Sequence, residues 1–592
     1  MCGIFALLNN KDDKDDKDDR NLKNDKNYIT RQFILEQFNQ ANHRGPDNSS
    51  INTTNNNFVG FHRLSINGLD NDSNQPFNIN NIQLVCNGEI YNYKELFNNI
   101  KYKPTTNSDC EIIIYLYMLY GIEYTLNLLD GVFAFILIDY NTNKMFVTRD
   151  PYGVRPLFYL YDSGSIMSDV ENGKSWSNLI GFASEMKQLI GFCNKFNQDG
   201  EDGENYLYIK PIIPGEYLSL ELSESNKWYI YDKKIYNTFR INKTVEYNNQ
   251  EISRVKKDIH DKFCAAIKKR VITTDRPIAC LLSGGLDSSI VTSLVKKYYK
   301  GILETYSIGL EGSEDLKYAR IVAEYLETQH TEIIVSEEDF FDQIPDGIKN
   351  IESYDTTTVR ASVGNYLVAK YISENSDAKV IFNGDGSDEL MGGYLYMNSA
   401  PNHLEFDKEC KRLLTDIHYF DVLRSDRSIS TNGLEPRTPF LDRDFVDTYL
   451  SISSKMRYNT NKTQEKYLFR SAFDNGNYLP KEILWRRKEA FSDGVSSMDK
   501  SWYKIIEEKV MTQTRVVYPL DVQYIHNPPQ TLEQLYYRTI YEQFYPNKGY
   551  NIPYFWMPKY IDADDSSARS LDIYTTNIDY KSIEHELVQN IQ

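Results

Sequence analysis

The hydrophobic pattern of the chain changes near residue 236, and this change limits the folds that the sequence can adopt. Before it, apolar runs rich in β-branched and aromatic residues follow one another with turn residues between them, as in NFVGFHRLSI, IQLVCNGEIYNY, GVFAFILIDY, KMFVTRD and PLFYLY. Runs of this kind predict antiparallel strands. After it, apolar strands alternate with helical segments, which predicts a parallel sheet with ligands bound at the carboxyl ends of its strands.

Two domains follow from this pattern. A chain of 592 residues is too long for a single hydrophobic core. We expect an α+β domain of stacked antiparallel strands over residues 1–235 and an α/β domain over residues 236–592, with the polar stretch 236–250 as a linker. The charged tract that follows Leu8, NNKDDKDDKDDRNLKNDKN, is of low complexity and predicts a disordered loop insertion, to which we assign no function.

Charge and cysteine usage exclude several classes of protein. The net charge of −18 argues against a nonspecific nucleic-acid-binding protein, which needs a basic face. Seven scattered cysteines without a CxxC pair predict neither a zinc site nor a disulfide framework, as in a reducing compartment. The sequence shows no apolar run long enough for a membrane span and no signal peptide, so we expect a cytoplasmic protein with no membrane or nucleic-acid partner.

The stretch LLSGGLDSS joins a predicted buried strand, RPIACLL, to a predicted helix. Its glycines let backbone N–H groups approach an anion closely, and the helix start adds free N–H groups and a positive dipole end. Serine hydroxyls add donors, whereas Asp287 would repel phosphate unless a Mg²⁺ ion lay between them. The turn is not the GxxxxGK[ST] loop, so ordinary γ-phosphoryl transfer is not implied. The alternative is a structural turn in which serine caps the helix.

A second glycine turn, NGDGSDELMGGY, ends another predicted strand and brings Asp385, Asp388 and Glu389 together. Carboxylates there could hold Mg²⁺ or act as a base, and the alternative is a plain acidic loop. The two turns together predict a crevice for a magnesium nucleotide. An arginine–lysine run could offset the phosphate charge, unless it is only a solvated face. The basic and hydroxyl residues concerned are Arg486, Arg487, Lys488, Thr357, Thr358 and Arg360.

The first five residues, MCGIF, place a cysteine directly after the initiator methionine. If that methionine is removed, Cys2 carries a thiol with an ordinary pKa near 8.5 and a free α-amine with one near 7.7–8.0. One residue then supplies a nucleophile and a base that can activate it. The pentapeptide alone favours the alternative, a small core residue that opens a buried strand, so the rest of the chain must decide.

These motifs resemble two known domains. The first half is similar to the glutaminase domain of class II amidotransferases, which are N-terminal-nucleophile hydrolases with stacked antiparallel sheets between helices. The motifs that carry this resemblance are MCGIF, HRGPD, FHRLSI, NGEIYNY, SDCE, DGVFAFILID and RDPYGVRPLFY. The second half resembles the ATP-pyrophosphatase domain of the asparagine synthetase family through LLSGGLDSS, SIGL, NGDGSDELMGGY, LEPRTPFLD, WRRKEAFSDG and WMPKYIDADDSSARSLDIY. The resemblance covers nearly the whole chain, in order.

For the first half, the resemblance implies that Cys2 attacks the side-chain amide of glutamine and releases glutamate and ammonia. Asn87 and Gly88 would form the oxyanion hole that such a tetrahedral intermediate needs. Arg63 would bind the substrate carboxylate, and an acidic pair would bind its α-ammonium group. The implied glutamine-binding residues are Arg63, Leu64, Ser65, Ile66, Asn67, Asn87, Gly88, and the acidic pair Glu89 and Asp109.

For the second half, the resemblance implies that aspartate attacks the α-phosphate of ATP, with Mg²⁺ bound by Asp287 and Asp388. Ammonia, carried through the protein, would then convert the β-aspartyl-AMP to asparagine and AMP. Thr357, Thr358 and Arg360 would position aspartate or the phosphates. The implied ATP- and pyrophosphate-binding residues are Leu281, Leu282, Ser283, Gly284, Gly285, Leu286, Asp287, Ser288, Ser289, Ile308, Asn383, Gly384 and Lys488. A homodimer is a further family expectation.

One residue departs from the family pattern. The family usually reads SGEGSDE where this chain reads NGDGSDE, so Asp385 replaces a glutamate that the family uses in forming and consuming the acyl-adenylate. Aspartate is shorter by about 1.5 Å, and a misplacement near 1 Å can cost ~10²-fold in rate. Two alternatives therefore stay open: a relative that adenylates another carboxylate, as β-lactam synthetases do, and a catalytically silent binding protein.

Overall fold

The computed structural model describes residues 1–10, 29–54, 57–162, 179–197, 206–237, 249–458, 464–517, 524–571 and 574. Most of the charged tract after Leu8 and of the predicted linker at 236–250 lies outside these residues. The chain divides into two units. The N-terminal unit contains Met1–Thr238 together with Ser430–Leu434, and the C-terminal unit contains Phe239–Ile429 and Glu435–Gln592.

The N-terminal unit contains two antiparallel sheets of six strands each. In chain order, its strands are β1 (Gly3–Leu8), β2 (Asn48–Thr54), β3 (Asn57–Arg63), β4 (Phe77–Ile79), β5 (Ile82–Ile90), β6 (Gly131–Asp139), β7 (Lys144–Arg149), β8 (Phe158–Asp162), β9 (Ile180–Ala183), β10 (Leu207–Pro211), β11 (Glu216–Leu222) and β12 (Trp228–Ile235). The first sheet has the order β10-β8-β9-β1-β3-β2, and the second has the order β12-β11-β7-β6-β5-β4.

The two sheets face each other across one hydrophobic core. Side chains of a strand point alternately to its two faces, and β1 follows this rule: Ile4 and Ala6 join the core that both sheets share, whereas Phe5 packs on Phe38 and Phe192. A second core lies between the β5 side and the helix Ile112–Leu128. The unit is therefore a helix–sheet–sheet–helix stack, with helices at Arg31–Phe38, Tyr93–Asn99, Ile112–Leu128 and Lys187–Phe196.

The C-terminal unit is built on a parallel sheet of five strands in the order β15-β14-β13-β16-β17. These are β13 (Ile278–Leu281), β14 (Glu304–Leu310), β15 (Gln329–Val335), β16 (Val380–Phe382) and β17 (Glu435–Arg437). Its longer helices are Asn249–Ile272, Leu286–Tyr298, Glu314–Leu326, Ile344–Ile351, Thr356–Asn375, His403–Asp416, Asp421–Ser430, Arg443–Ser451, Trp502–Val517 and Leu532–Phe544. The shorter helices are Glu337–Asp342, Ser387–Met391, Ser454–Arg457, Tyr467–Ala472, Lys481–Leu484 and Phe491–Gly494.

The predicted fold class, stacked antiparallel sheets followed by a parallel-sheet α/β domain, is confirmed. The two edge strands of the parallel sheet, β15 and β17, were not predicted. The residues of β15 are mostly half-exposed, so the strand lacks an apolar run, and β17 has three residues including a proline, which sheets tolerate at an edge. Among the described residues, no helix is long and apolar enough to cross a membrane.

His62, on β3, is a buried histidine with a structural role. Its ring stacks on Phe38 with centroids 3.8 Å apart, and its Nδ1 and Nε2 lie 2.7 Å from Ser49 Oγ and 3.0 Å from the Phe38 carbonyl oxygen. Because a carbonyl oxygen only accepts, this network assigns the proton of the neutral ring to Nε2. Burial lowers the pKa of His62 from 6.5 to about 4.

We expect His62 to destabilise the N-terminal unit as the pH falls from 6.5 to about 4. In that window the unfolded chain takes up a proton on this imidazole and the folded chain does not. The free energy of unfolding therefore decreases as the pH is lowered, by roughly 3 kcal/mol when the pH reaches the lower end of the window. Chemical unfolding of the wild type and His62→Gln at several pH values measures this. His62→Gln should lose that part of the pH dependence, and the control His260→Gln should keep it. If the free energy of unfolding changed equally with pH in all three proteins, the assignment to His62 would be contradicted.

Candidate active sites

Cys2 lies where β1, β3 and β5 come together in the N-terminal unit. Its backbone N–H donates to Asn87 Oδ1 at 3.1 Å, and its Sγ lies 3.7 Å from the carbonyl oxygen of Leu64, directly after β3. Arg44 Nε donates to the Cys2 carbonyl oxygen at 2.9 Å. Contacts on two sides thus fix the backbone of Cys2. Its side chain is half-buried, so the thiol stays partly accessible to a ligand.

Asn87 brings an unused hydrogen-bond donor to the same place. The residue is fully buried, its Oδ1 accepts from Cys2, and its Nδ2 has no hydrogen-bond partner among the described residues. Leaving a buried donor unsatisfied costs free energy, so such a group is usually explained by a ligand or a catalytic role. At Gly88, an added Cβ would lie 2.4 Å from the Val132 carbonyl oxygen on β6, so only glycine fits there. This is the donor arrangement expected of an oxyanion hole beside a thiol.

Arg63 ends β3 as a buried guanidinium whose partners are neutral oxygens. It donates to the Asp70 carbonyl oxygen at 2.9 Å, to Asn74 Oδ1 at 2.7 Å and to the carbonyl oxygens of Asn67 and Gly68. It forms no ion pair with a carboxylate in the part of the chain that the structure describes. A buried cation without an anion is costly, and a ligand carboxylate would offset its charge.

The predicted acidic pair and the 64–67 segment are buried beside these residues. Glu89 Oε2 accepts from Asn67 Nδ2 at 2.5 Å, and Asp109 Oδ2 accepts from the Ile90 N–H at 2.6 Å. The Ser65 N–H donates to Asp47 Oδ2 at 2.8 Å, so Asp47 fixes the 64–67 segment. The structure therefore brings the predicted residues of the first half together, and adds Asp47 and Asn74 as their supports.

A cavity lies in the C-terminal unit at the carboxyl ends of β13, β14 and β16. Ligands of doubly wound sheets bind at this edge. Of the residues predicted for this crevice, those that line it are Leu281, Leu282, Ser283, Gly285, Leu286, Asp287, Ser288, Ile308, Thr357, Asn383, Gly384, Asp385, Asp388, Glu389, Arg486, Arg487 and Lys488.

The turn after β13 has the geometry of an anion-binding loop. Gly284 has φ +69°, and a Cβ there would lie 2.4 Å from the backbone of Tyr318, so the turn requires glycine. Ser283 and Ser288 join their hydroxyls at 3.0 Å across the turn. The helix Leu286–Tyr298 then begins with its free N–H groups at the cavity.

The second glycine turn packs directly on the first. A Cβ on Gly384 would lie 2.9 Å from Asp287 Cβ and 3.0 Å from the Ser288 nitrogen. Gly386 has φ +89°, and a Cβ there would meet Leu441 at 2.6 Å. The close approach at Gly384 holds the two turns in contact and keeps Asp287 and Asp388 near each other, whereas the missing side chain at Gly386 makes room for Leu441.

Two buried lysines neutralise these aspartates, and sequence reasoning found only one of them. Lys466 Nζ lies 2.7 Å from Asp287 Oδ2, 2.6 Å from Asp388 Oδ1 and 2.7 Å from Ser387 Oγ. Lys488 Nζ lies 2.6 Å from Asp388 Oδ2 and 3.7 Å from Asp287 Oδ2. Burial alone would raise the pKa of Asp388, but the two ammonium groups outweigh it and hold that pKa well below its usual range.

Lys466 was missed because its segment, TQEKYLFR, has no glycine turn, strand or basic run to mark it. The residue takes a positive φ of 57° just before the helix Tyr467–Ala472. The sequence held only an indirect indication of such a residue: the carboxylates of Asp287 and Asp388 in one nucleotide crevice require a second cation besides Lys488.

Asp287 also tests whether the cavity fits a magnesium ion. Its Oδ1 is buried and has no hydrogen-bond partner among the described residues. The same residues include no group of three metal-ligating side chains. Mg²⁺ commonly uses one or two protein carboxylates and completes its shell with water and substrate phosphates. One unpartnered carboxylate oxygen in a phosphate-binding cavity fits that pattern.

Asp385 lines the cavity and is held by a residue that the sequence did not indicate. Its Oδ1 lies 3.2 Å from an NH2 of Arg424, which also lies 2.7 Å from Asp421 Oδ1. Burial raises the pKa of Asp385 above its ordinary value, and Arg424 partly offsets this. Next to it, burial and the carboxylates of Asp421 and Asp388 raise the pKa of Glu389 well above its usual range, and Tyr394 donates a hydrogen bond to it.

Four predicted residues do not face the cavity. Ser289 is fully buried and Gly284 packs on Tyr318, so neither residue lines the cavity. Thr358 donates to Asp355 Oδ2 at 2.7 Å as part of a helix cap. Arg360 forms ion pairs with Glu533 at 2.6 Å and Asp565 at 2.8 Å, so its guanidinium is committed to protein carboxylates. The expectation that Thr358 and Arg360 position a substrate is corrected accordingly.

Thr357 remains as the positioning candidate of that group. It lines the cavity, and its Oγ1 is buried without a hydrogen-bond partner in the described part of the chain. The unused hydroxyl of Thr357 is therefore available to a ligand, whereas that of Thr358 is not.

Comparison with known proteins matches both units. A family model described as a glutamine amidotransferase domain matches residues 1–217, and one described as asparagine synthase matches residues 258–405 and 397–551. The asparagine synthetase [glutamine-hydrolyzing] of Cricetulus griseus is 41% identical over 97% of this chain and 99% of its own length. That of Gallus gallus is 40% identical over 90% of this chain and 95% of its own.

A solved structure, that of the allosteric regulatory enzyme of purine biosynthesis, shares 14% identity with a TM-score of 0.29 over 56% of this chain and 80% of its own, which is too distant to carry an argument. The curated relatives, by contrast, match the chain from end to end, and both family models fall on the units that hold the two sites. The chain belongs to the family of glutamine-hydrolysing asparagine synthetases.

Proposed function

We propose that this protein makes asparagine from aspartate, with ATP as the activating agent and glutamine as the nitrogen donor. The observation that carries the proposal is the unpartnered, buried Nδ2 of Asn87 beside the thiol of Cys2. A donor in this position has a use when a tetrahedral oxyanion forms on a substrate amide. It would serve neither a silent binding protein nor a relative that has given up glutamine hydrolysis.

In the N-terminal unit, Cys2 Sγ attacks the side-chain amide carbon of glutamine. Asn87 Nδ2 and the Gly88 N–H stabilise the oxyanion, ammonia leaves, and water releases glutamate from the thioester. Arg63 binds the α-carboxylate, which supplies the anion that its guanidinium lacks among the described residues. Glu89 and Asp109 bind the α-ammonium group. This chemistry requires removal of Met1, which is 1% exposed, so that the α-amine of Cys2 can act as the base.

In the C-terminal unit, the β-carboxylate of aspartate attacks the α-phosphorus of ATP, and pyrophosphate leaves with the electrons of the broken P–O bond. Ser283 to Ser288 and Lys488 hold the pyrophosphate, and we add Lys466 to this role. Leu281, Ile308, Asn383 and Gly384 contact the adenosine. Ammonia then attacks the acyl carbon, Asp385 takes a proton from the incoming nitrogen, and AMP leaves.

Mg²⁺ belongs to this proposal as the ion that accompanies ATP. Asp287 and Asp388 would hold it, and when bound it supplies positive charge that neutralises the phosphates. The protein residues prepare for it: Lys466 and Lys488 keep the Asp388 carboxylate ionised, because their ammonium groups favour the charged form.

A cytosolic setting and a homodimer are further parts of the proposal. The first is supported by seven cysteines that are free thiols in the structure, six of them buried. The second is supported by family likeness alone.

The test supplies the purified protein with MgATP, aspartate and glutamine labelled with ¹⁵N in the side-chain amide. We expect mass spectrometry to show ¹⁵N-asparagine and AMP in equal amounts, which would also show that Asp385 serves in place of glutamate. Labelled ammonia without asparagine or AMP would mean a glutaminase with a failed synthetase site and would place the fault at or near Asp385. If neither product formed, the proposed enzyme activity would be wrong.

A further inference from the structure

The loop that carries Lys488 lines the nucleotide cavity, and its charged side chains contact two separate groups of partners. We call residues 485–490 the Lys488 loop. Arg486 and Lys488 contact the first group: Arg486 lies 3.8 Å over the Tyr318 ring and 3.6 Å from Asp315 Oδ1, and Lys488 meets Asp388. Arg487 and Glu489 contact the second group.

The second group of partners is a segment close to the C-terminus, residues 565–571 with Tyr574, which we call the C-terminal latch. Arg569 Nε donates to Glu489 Oε1 at 2.6 Å, and Tyr574 OH donates to Glu489 Oε2 at 2.8 Å. The guanidinium of Arg487 lies 4.6 Å over the Tyr574 ring. Burial and Glu489 raise the pKa of Tyr574 to about 12, so its phenol keeps the proton that it donates.

The C-terminal latch is itself anchored at several points in the C-terminal unit. Ser567 Oγ donates to Asp493 Oδ1 at 2.5 Å, and the Ala568 N–H donates to Asp493 Oδ2 at 3.1 Å. Arg569 NH1 donates to the Ser497 carbonyl oxygen at 2.7 Å. Asp565 forms the ion pair with Arg360 described above. These contacts make the latch a fixed part of the fold, and they give Arg360 its function in holding it.

Charge gives Arg569 a role beyond anchoring. Glu489 lines the nucleotide cavity one residue from Lys488, so its carboxylate is near the place where the phosphates of ATP would lie. An unneutralised carboxylate there would repel the polyphosphate and compete for Lys488. Arg569 is 5% exposed at the side chain and Glu489 is 10% exposed, so solvent screens this pair little.

We infer that Arg569 is a positioning residue for the adenylation reaction: through Glu489 it fixes the Lys488 loop and removes a negative charge from the ATP site. This inference rests on the proposed function. It gives the C-terminal latch a role in ATP binding that acts through Glu489, since no latch residue lines the cavity itself.

The test compares wild type, Arg569→Gln, Glu489→Gln and the double variant in the full-length protein, by aspartate-dependent pyrophosphate release at varied MgATP. We expect Arg569→Gln to lose roughly 30-fold in kcat/KM for ATP, mostly through KM, because Glu489 is left charged without its partner. Glu489→Gln should lose less. The double variant should recover to within about 3-fold of Glu489→Gln, since the unpaired charge is then absent.

Two controls separate this role from general damage. Glutamine hydrolysis, measured in the same preparations, should stay unchanged. Arg320→Gln breaks an arginine–glutamate pair of similar length, with Glu332 at 2.7 Å, that is more exposed and lies outside the nucleotide cavity, and it should leave KM for ATP as it is.

The inference is overturned if Arg569→Gln keeps the wild-type KM, or if the double variant is as impaired as Arg569→Gln. If Arg569→Gln does not fold, Arg569→Lys and Tyr574→Phe are used in its place, because each changes one donor to Glu489. A wild-type KM for ATP in both of these variants would again overturn the inference. Failure of the proposed function looks different: the wild type itself would then release no pyrophosphate with aspartate.

Discussion

Replacing Cys2 with alanine is expected to reduce glutamine hydrolysis by at least about 10⁴-fold, because the other thiols near Asn87, those of Cys86 and Cys110, are buried whereas Cys2 keeps partial access. Asparagine formation from added ammonium should continue at the wild-type rate, since the nucleotide cavity belongs to the other unit. Glutamate release and ammonium-dependent AMP formation, measured on one preparation, give both results.

The matched control is Cys193→Ala, a buried cysteine of the same unit whose Sγ lies 3.4 Å from the Leu207 carbonyl oxygen. It should keep both activities at nearly the wild-type level and lose only some stability. If Cys2→Ala still hydrolysed glutamine at more than about one hundredth of the wild-type rate, the nucleophile would be another residue.

Replacing Lys466 with methionine is expected to reduce aspartate-dependent pyrophosphate release by about 10³-fold while glutamine hydrolysis stays unchanged. The ammonium group lies between Asp287 and Asp388, and without it these buried carboxylates have only Lys488 between them. The site would then present net negative charge to the phosphates of ATP. Initial rates of pyrophosphate release across ATP concentrations measure the loss.

Lys481→Met is the matched control, because Lys481 pairs with Asp474 at 2.5 Å on the exposed surface and should have no effect on rate. If Lys466→Met does not fold, the double variant Asp287→Asn with Lys466→Met keeps the local charge balanced. A double variant with wild-type pyrophosphate release would refute the role of Lys466.

Local sequence patterns predicted those parts of the fold and sites that depend on neighbouring residues. The apolar runs rich in β-branched and aromatic residues that form the antiparallel strands, and the glycine turn at 283–285, each express a local requirement of periodicity or backbone geometry. The structure also brings the resemblance-based residues of the first half together, because the sheet register fixes Asn87 and Leu64 against Cys2.

What the sequence could not show depends on partners far along the chain. Arg360 looked like a substrate-binding arginine beside Thr357, yet its carboxylate partners lie 173 and 205 residues away. Lys466 reaches Asp287 across 179 residues. Nothing in a local window marks such pairs, since any charged side chain on a helix or turn looks the same until tertiary packing selects its partner.

Asp385 shows the same limit from the opposite direction. Its identity was visible as a departure from the family pattern, but its environment was not. The guanidinium of Arg424 holds Asp385 Oδ1 at 3.2 Å and Asp421 Oδ1 at 2.7 Å, which fixes the direction of the shorter side chain. The ¹⁵N-glutamine experiment therefore tests a site in which Arg424 holds the Asp385 side chain in one orientation.

The position of the C-terminal latch sets the order in which the enzyme can mature on the ribosome. Cys2 is made early, and the strands around it are complete by Ile235, whereas Arg569 and Tyr574 are translated much later. Roughly 340 residues separate Ile235 from Tyr574, which at about 5–20 residues per second takes some 15 s to a minute. A nascent chain therefore carries its ammonia-producing strands well before the segment that completes the ammonia-consuming site, and aspartate activation waits until the latch has been translated.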